Sequence, residues 1–552
     1  MNAGRPWLRW LAHGLACSLL AACSGLPVNP PRTATHALAD AADTSLGSLV
    51  DRALAVQPPG TERMPTPAPL PAAVAASPAA VPASAASTAP RHYDSGFRLL
   101  GRADAAYASR VALIDAAQKT LDLQYYTIQY DHSTVELFEH LRLAARRGVR
   151  VRILLDDFNA VGPNIEVLRL DREPGIAVRL FNPLSGSRRS MVGRVLGSLF
   201  DIKRVQQRMH NKVFIADNAL AITGGRNLGD AYFGQGQDSN FLDLDVLAGG
   251  RIVRDLSHSF DRYWNHELAY PVQALLTPDE QARFEDPSPV PARDTEAPAP
   301  TPDAPESLAA EVRAGTLRLV GAPAVLYVDS PAKINLPEDE DAPANVVDNL
   351  LAVMDLTRRD LLVISPYFVP GERMMKTFTT LRARGVRIRV LTNSLASTDA
   401  PLAHAGYARY RPALLQAGVE LYELQPSGTG RHRLFGSATP STRASLHSKA
   451  LVIDGSLLIV GSMNLDLRSA LQNTELGLIL RSPMLSNAVT QTVEQAFTES
   501  YRVEWVDGGL RWQAPPPGNG QPGARYDQEP EAGMGLRLLI ELVGPLAPDE
   551  VL

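Results

Sequence analysis

Two segments of this chain repeat one pattern: His210-Asn211-Lys212 followed by Asp217, and His447-Ser448-Lys449 followed by Asp454. Each is H-x-K-x4-D, and each runs on in register to a small-residue pair and an asparagine, Gly224-Gly225-x-Asn227 and Gly461-Ser462-x-Asn464. The same offset of 237 residues relates Arg147-Gly148-Val149-Arg150 to Arg384-Gly385-Val386-Arg387. It also relates Leu137, Phe138, Leu141 and Ala144 to Met374, Met375, Phe378 and Leu381. That i, i+1, i+4, i+7 spacing marks one face of a helix, and the glycine after it is a C-cap signal. β-rich strings follow, Val151 to Leu155 and Ile388 to Leu391, so each copy reads as helix, cap, strand. The duplication predicts an α/β protein of two homologous halves forming one pseudo-twofold unit.

With 552 residues and 45% apolar content the chain has enough material for two cores, assigned here to residues 93–285 and 307–512 with a Pro-rich linker at 286–306. Residues 1–22 read as a secretory signal: Arg5 and Arg9, an apolar run from Leu11 to Leu20, then Leu20-Ala21-Ala22-Cys23. The run is short for a membrane span. Its ending resembles a bacterial lipoprotein box, which implies an acylated Cys23 and a periplasm-facing, lipid-anchored protein of the cell envelope. Ser24 in place of Asp favours the outer membrane. The other cysteine, Cys17, lies inside the signal, so the processed chain has no internal disulfide. Loss of the signal leaves 52 basic against 59 acidic residues, a net charge of −7. Residues 23–92 are rich in Ala, Pro and Ser and read as an extended tether. Residues 513–552 read as a Pro/Gly-rich linker with an apolar stretch, Leu536 to Val543, expected to pack as a terminal helix, with membrane contact as the alternative.

After each His and Lys the sequence predicts a β-hairpin, Val213–Ala216 and Leu220–Thr223 about Asp217-Asn218, and Leu451–Ile453 and Leu457–Val460 about Asp454-Gly455. Asp217 and Asp454, though part of the catalytic motif, are therefore expected to fix the turns. Each hairpin ends in a small-residue loop whose N–H groups, at Gly225 and Ser462, with Asn227 or Asn464, are suited to cradling an anion. Two such hairpins face to face supply both sides of a phosphodiester displacement: one of His210 and His447 as nucleophile and the other as proton donor, in an order that spacing does not set, with Lys212 and Lys449 against the non-bridging oxygens. The scheme calls for no cofactor, and the sequence shows no metal-ligand cluster. A neutral imidazole needs an orienting partner; Glu475, 28 residues after His447, and the corresponding Asp243 of the first half are the candidates.

These residues resemble the phospholipase D superfamily, whose signature is the paired H-x-K-x4-D with a G-G/S-x-N tail. Leu121-Asp122-Leu123-Gln124-Tyr125-Tyr126, Gly224-Gly225-Arg226-Asn227-Leu228-Gly229-Asp230 and Leu391-Thr392-Asn393-Ser394 draw the resemblance toward bacterial cardiolipin synthases of the C type. It covers about residues 97 to 512. It implies phosphatidyl transfer through a phosphohistidine, with His210 as nucleophile and His447 as acid and base. Phosphatidylglycerol or phosphatidylethanolamine would be the donor and phosphatidylglycerol the acceptor. The implied partners are membrane phospholipids and the membrane surface. The basic, apolar stretch from Arg188 to Arg208 reads either as a lipid-facing amphipathic segment or as a helix packed on the core. His404, Tyr407 and Arg409 likewise fit an acceptor-lipid wall or helix packing. A water-using phospholipase D and a noncatalytic lipid-binding lipoprotein remain alternatives. A nuclease agrees poorly with the acidic net charge.

Overall fold

The computed structural model describes residues 26–55, 93–285 apart from 187, 189, 190, 199 and 200, and then 307–334, 345–426, 443–517 and 521–544. The signal, Cys23 and the linker at 286–306 lie outside them. The first half is built on β1 (Ser95–Leu100), β2 (Thr120–Tyr125), β3 (Arg150–Asp156), β4 (Ile176–Phe181), β5 (Val213–Ala216), β6 (Leu220–Gly224), β7 (Ser239–Leu242), β8 (Asp245–Gly250) and β9 (Ala269–Pro271). After the linker come β10 (Val320–Gly321), β11 (Ala324–Val328), β12 (Asp360–Ile364), β13 (Arg387–Asn393), β14 (Glu420–Leu424), β15 (Arg443–Leu446), β16 (Ala450–Ile453), β17 (Leu457–Gly461), β18 (Leu476–Arg481), β19 (Ser500–Val506), β20 (Gly509–Gln513) and β21 (Arg525–Tyr526).

The strand orders make the duplication visible. One sheet runs β10-β1-β8-β6-β5-β2-β3-β4-β9 and the other β11-β18-β17-β16-β12-β13-β14-β19-β20-β21. Within both, three parallel strands (β2-β3-β4, β12-β13-β14) continue into an antiparallel hairpin (β5-β6, β16-β17). Strand side chains alternate between two cores. Phe214 and Ala216 join the outer core of the first half, whereas Val213 and Ile215 join an inner core shared with Leu362, Ile364, Val452 and Val460 of the second. The halves therefore hold one apolar core in common.

The repeated sequence signals have local physical causes. The helices His132–Arg146 and Gly371–Ala383 bury Leu137, Phe138, Leu141 and Ala144, and Met374, Phe378 and Leu381. They end at Gly148 and Gly385, in the left-handed region at φ 94° and 82°. That turn sends Val149 N–H to the Ala144 carbonyl and Val386 N–H to that of Leu381. The hairpin turns use φ of 52° and 50° at Asp217 and Asn218, and 52° and 65° at Asp454 and Gly455.

Three boundaries differ from those read in the sequence. Residues 26–55 are not an extended tether: Asn29 Nδ2 donates to the carbonyls of Glu267 and Ala269, Ala37 N–H to Asp261, and the helix Ser45–Ala55 buries Leu46, Leu49, Val50 and Leu54. An i, i+3, i+4, i+8 stripe was diluted by the Ala/Pro composition around it. The first half also takes back residues after the linker, since Leu308, Leu317 and Leu319 enter its outer core and β10 pairs with β1. At the other end, β21 extends the second sheet, and the helix Met534–Val543 packs Ile540 and Leu536 on Leu395, Ala396 and Ala405.

Candidate active site

The halves are stitched together at the two His-Lys segments. Thr474 accepts from His210 N–H at 2.9 Å and donates its own N–H to the Arg208 carbonyl at 2.9 Å. On the other side β7 and β15 pair in parallel, and the Leu242 carbonyl accepts from His447 N–H at 2.8 Å. The residue after each of these cross-half contacts is a carboxylate, and it reaches the histidine of the other half. His210 Nδ1 lies 3.0 Å from Glu475 Oε2, and His447 Nδ1 lies 2.7 Å from Asp243 Oδ2. The carboxylates are thus exchanged relative to the within-half assignment that spacing gives, because strand pairing between halves sets the partner.

The two dyads differ in charge. Burial by itself would raise Asp243, but His447, Lys449 and Arg226 together hold it at about 2. Burial prevails at Glu475 and pushes it up to about 7, against the opposing pull of Lys212, Ser462, Lys333 and Ser469. Burial, then Lys212 and Lys449, keep His210 well below the usual imidazole value. Burial and Lys449 lower His447 also, with Asp243 opposing them. Both rings are shifted toward the neutral form, and of the two it is His447 whose protonated form the ionised Asp243 stabilises.

Lys212 and Lys449 donate their Nζ protons to the carbonyls of His210 and His447. Burial and the neighbouring Lys449 bring Lys212 down to about 7, and burial brings Lys449 down to about 8. Two buried ammonium groups so placed suit the non-bridging oxygens of a phosphodiester.

Asp217 and Asp454 stand away from this centre. Asp217, fully buried, accepts from the N–H groups of Gln118, Lys119 and Thr120. Asp454 does the same for Arg358, Arg359 and Asp360. Both bind the hairpin turn to the segment before β2 or β12. The N–H groups of Gly225 and Ser462 are likewise taken, by the carbonyls of Leu244 and Leu476. Their place in the motif has another cause than anion binding through N–H. A Cβ on Gly225 would lie 2.2 Å from Asp243 Oδ1, and Ser462 Oγ donates to Glu475. This position accommodates the orienting carboxylate. Asn227 is engaged with Thr127 N–H and Tyr232 Oη, whereas Asn464 leaves its buried Oδ1 without a partner.

Sequence reasoning missed two sets of residues. Tyr126 stands edge-on to His210 with ring centroids 5.1 Å apart, and Phe241, Tyr232 and Tyr367 stand around His447 at 5.1, 5.4 and 6.4 Å. A tyrosine one residue past β2 and another three past β12 was the available signal. Behind Glu475, Asp329 accepts its N–H at 3.0 Å and binds Lys333 Nζ at 2.8 Å. Nothing in the repeat points to that pair. Among the described residues no group of three or more His, Cys, Asp or Glu side chains is placed to hold a metal ion.

In the segments read as alternatives, several of the named polar side chains pack inward. Arg188, Arg194 and Arg208 are buried, the first two against Asp157 and the last against Asp156 at 3.1 Å, so these three do not face lipid. His404 binds Glu529 and Arg411, and Tyr407 donates to Glu423 at 3.1 Å; both serve helix packing.

Comparison with known proteins agrees with this architecture. In fold, the crystal structure of phosphatidylserine synthase from Haemophilus influenzae Rd KW20 is similar at a TM-score of 0.54 and 11% identity, covering 83% of this chain and 95% of that one. In sequence, cardiolipin synthase C of Escherichia coli (strain K12) is 39% identical over 422 residues, 74% of this chain and 85% of that protein. An uncharacterized protein of Helicobacter pylori (strain ATCC 700392 / 26695) is 33% identical over 412 residues, 73% of this chain and 80% of the other. The model of the family described as "Cardiolipin synthase, PLD-like domain" matches residues 111–264 and 350–500, which contain both dyads. The duplicated fold and its exchanged His–carboxylate pairs are therefore those of a chain that belongs to the phospholipase D-like cardiolipin synthase family.

Proposed function

We propose that the protein is a cardiolipin synthase that moves a phosphatidyl group between phospholipids, with phosphatidylglycerol or phosphatidylethanolamine as donor and phosphatidylglycerol as acceptor. The observation that carries this is the pairing of two buried histidines, each on its own carboxylate, beside two buried lysines. In the first step the Nε2 lone pair of His210 attacks phosphorus, the bond to the headgroup oxygen breaks, and His447 gives its Nε2 proton to that oxygen. In the second, His447 takes the proton of the acceptor hydroxyl, whose oxygen displaces His210 and restores both rings. Lys212 and Lys449 offset the charge that grows on the non-bridging oxygens.

Supporting the assignment of roles is the charge asymmetry of the dyads: the ionised Asp243 opposes the effect of burial at His447, whereas His210 is held well below the usual imidazole value. The lipobox supports anchoring through Cys23 in the cell envelope. Loss of radiolabelled palmitate from a Cys23→Ser chain would test it. For the reaction itself, the processed chain is added to vesicles of phosphatidylglycerol and phosphatidylethanolamine and the products are identified by mass spectrometry. Cardiolipin that disappears with His210→Ala and with His447→Ala is the expected result. Phosphatidic acid alone would make the protein a hydrolase.

A further inference from the structure

Both catalytic histidines lie at one end of the sheets, where the parallel strands terminate. Gln124, next to the end of β2, pairs with Val213 three residues after His210, and Ile364, the end of β12, pairs with Ala450 three residues after His447. The helix Met534–Val543 is held at this same end, because Leu395 and Ala396, on which it packs, follow directly on β13. That loop continues to Asp399, which accepts from Tyr367 Oη at 2.8 Å, and the Tyr367 ring faces His447. Only one face of the helix is used in packing. Met534, Leu538 and Leu542, at i, i+4 and i+8, are 78%, 51% and 70% exposed, with Leu539 beside them.

Two further features fall at this end. Val192 and Ile202 are exposed in the excursion that leaves from Phe181 at the end of β4 and returns at His210. The chain upstream of Leu26 also joins the body here. Asn29 is bonded to the carbonyls of Glu267 and Ala269, and Ala269 pairs with Phe181, the last residue of β4. Cys23 is therefore six residues from a point fixed beside the active-site end, a reach of at most about 20 Å.

We propose that this end of the molecule is a bilayer-docking face, with the apolar side of the helix Met534–Val543 lying in the lipid interface beside the catalytic centre. Water-exposed leucines and methionine on a short helix gain from immersion among acyl chains. Placed here, they bring a phospholipid headgroup to His210 and His447 while its tails stay in the membrane. The inference rests on the lipid substrate proposed above, and on one occupant, the bilayer. The short connection from Cys23 to Asn29 holds the same end toward the membrane in which a lipid on Cys23 would sit.

The test uses the chain from Ser24 onward, which contains the whole described fold and no lipid. Its partition onto phosphatidylglycerol vesicles is measured by co-sedimentation, beside turnover of a short-chain phosphatidylglycerol dissolved as monomers. Leu538→Asp/Leu542→Asp is expected to weaken partition at least about tenfold and to leave turnover of the dissolved lipid unchanged. Leu356→Asp is the control: this side chain is 45% exposed near the Asp454 turn, at the opposite end. It should leave partition intact. Unchanged partition in the double variant, or an equal loss in Leu356→Asp, overturns the proposal. So does a parallel loss of turnover on dissolved lipid, or a lipid-free dimer that the double variant dissolves, since the helix would then serve the fold or a second copy. Vesicle binding that depends on Leu538 and Leu542 without any lipid product would uphold the docking face and refute the proposed reaction.

Discussion

Glu475 belongs to the second half of the chain, yet its Oε2 lies 3.0 Å from Nδ1 of His210 in the first, 265 residues away. Each half thus supplies the ring for one dyad and the carboxylate for the other, so neither half has a complete dyad by itself. The exchange leads to a separation of roles that substrates with different leaving groups will expose. With a phosphatidyl ester of p-nitrophenol, whose departure needs no proton, Asp243→Asn and His447→Ala should form the covalent intermediate at close to the parent rate. His210→Ala should form no covalent intermediate, and Glu475→Gln, which loses the group orienting the nucleophile, should remain impaired. Burst kinetics of nitrophenol release measure this. Rescue of Glu475→Gln with loss in Asp243→Asn would reverse the assignment.

The pH dependence follows from the lysines. Burial lowers both side chains, Lys212 to about 7 and Lys449 to about 8. An anion binds the protonated forms, so its affinity is full below these values and falls as pH rises through them. The dissociation constant for inorganic phosphate, followed by calorimetry, should therefore increase from pH 7 to pH 9, with proton uptake on binding. His210 is depressed far below its usual value and stays neutral throughout this window. A flat profile from pH 7 to pH 9 would mean that other charges hold the phosphate.

Asp217 separates the fold from the chemistry within one motif. Its carboxylate satisfies three backbone N–H groups in a fully buried turn. Asp217→Ala leaves those donors unpaired and should lower stability by about 3 kcal/mol or more. Asp454→Ala, whose Arg358 and Arg359 donors are exposed to water, should be milder, at about 1 kcal/mol. Urea unfolding gives both values. In each case the activity per folded molecule should be retained, and a loss of turnover without a loss of stability would return these aspartates to the reaction.

Much of the fold was legible because the duplication repeats local signals, and local signals survive in a sequence. Gly148 and Gly385 mark helix ends by their backbone conformation, and Asp217-Asn218 and Asp454-Gly455 mark turns in the same way. What a residue meets across the structure is less accessible. Spacing found Asp243 and Glu475 but placed each with its own half, since pairing between Thr474 and the His210 segment is tertiary. A cluster of arginines looks alike whether it faces lipid or, as Arg194 and Arg208 do, buried aspartates. Gly225 illustrates a third limit: the sequence shows a small residue, and only the approach of Asp243 shows what the space is for.

The N-terminal strap gives the sharpest stability test, because an extended tether and a packed element predict opposite results. Leu46 and Leu49 are 0% and 3% exposed on the helix Ser45–Ala55, which lies against the first sheet through β6 and β8. Truncating either to Ala removes a buried side chain and leaves a cavity, for a loss of about 2–5 kcal/mol. Asp51 on the same helix is exposed, and Asp51→Ala should fall within about 0.5 kcal/mol of the parent. Both leucine variants should unfold at lower urea with an unchanged slope. Cleavage by protease between residues 26 and 44 should become faster in them, since the strap opens when its helix no longer holds. Parent-like stability in Leu46→Ala and Leu49→Ala would restore the tether and would remove the packed connection that brings Asn29 to the active-site end.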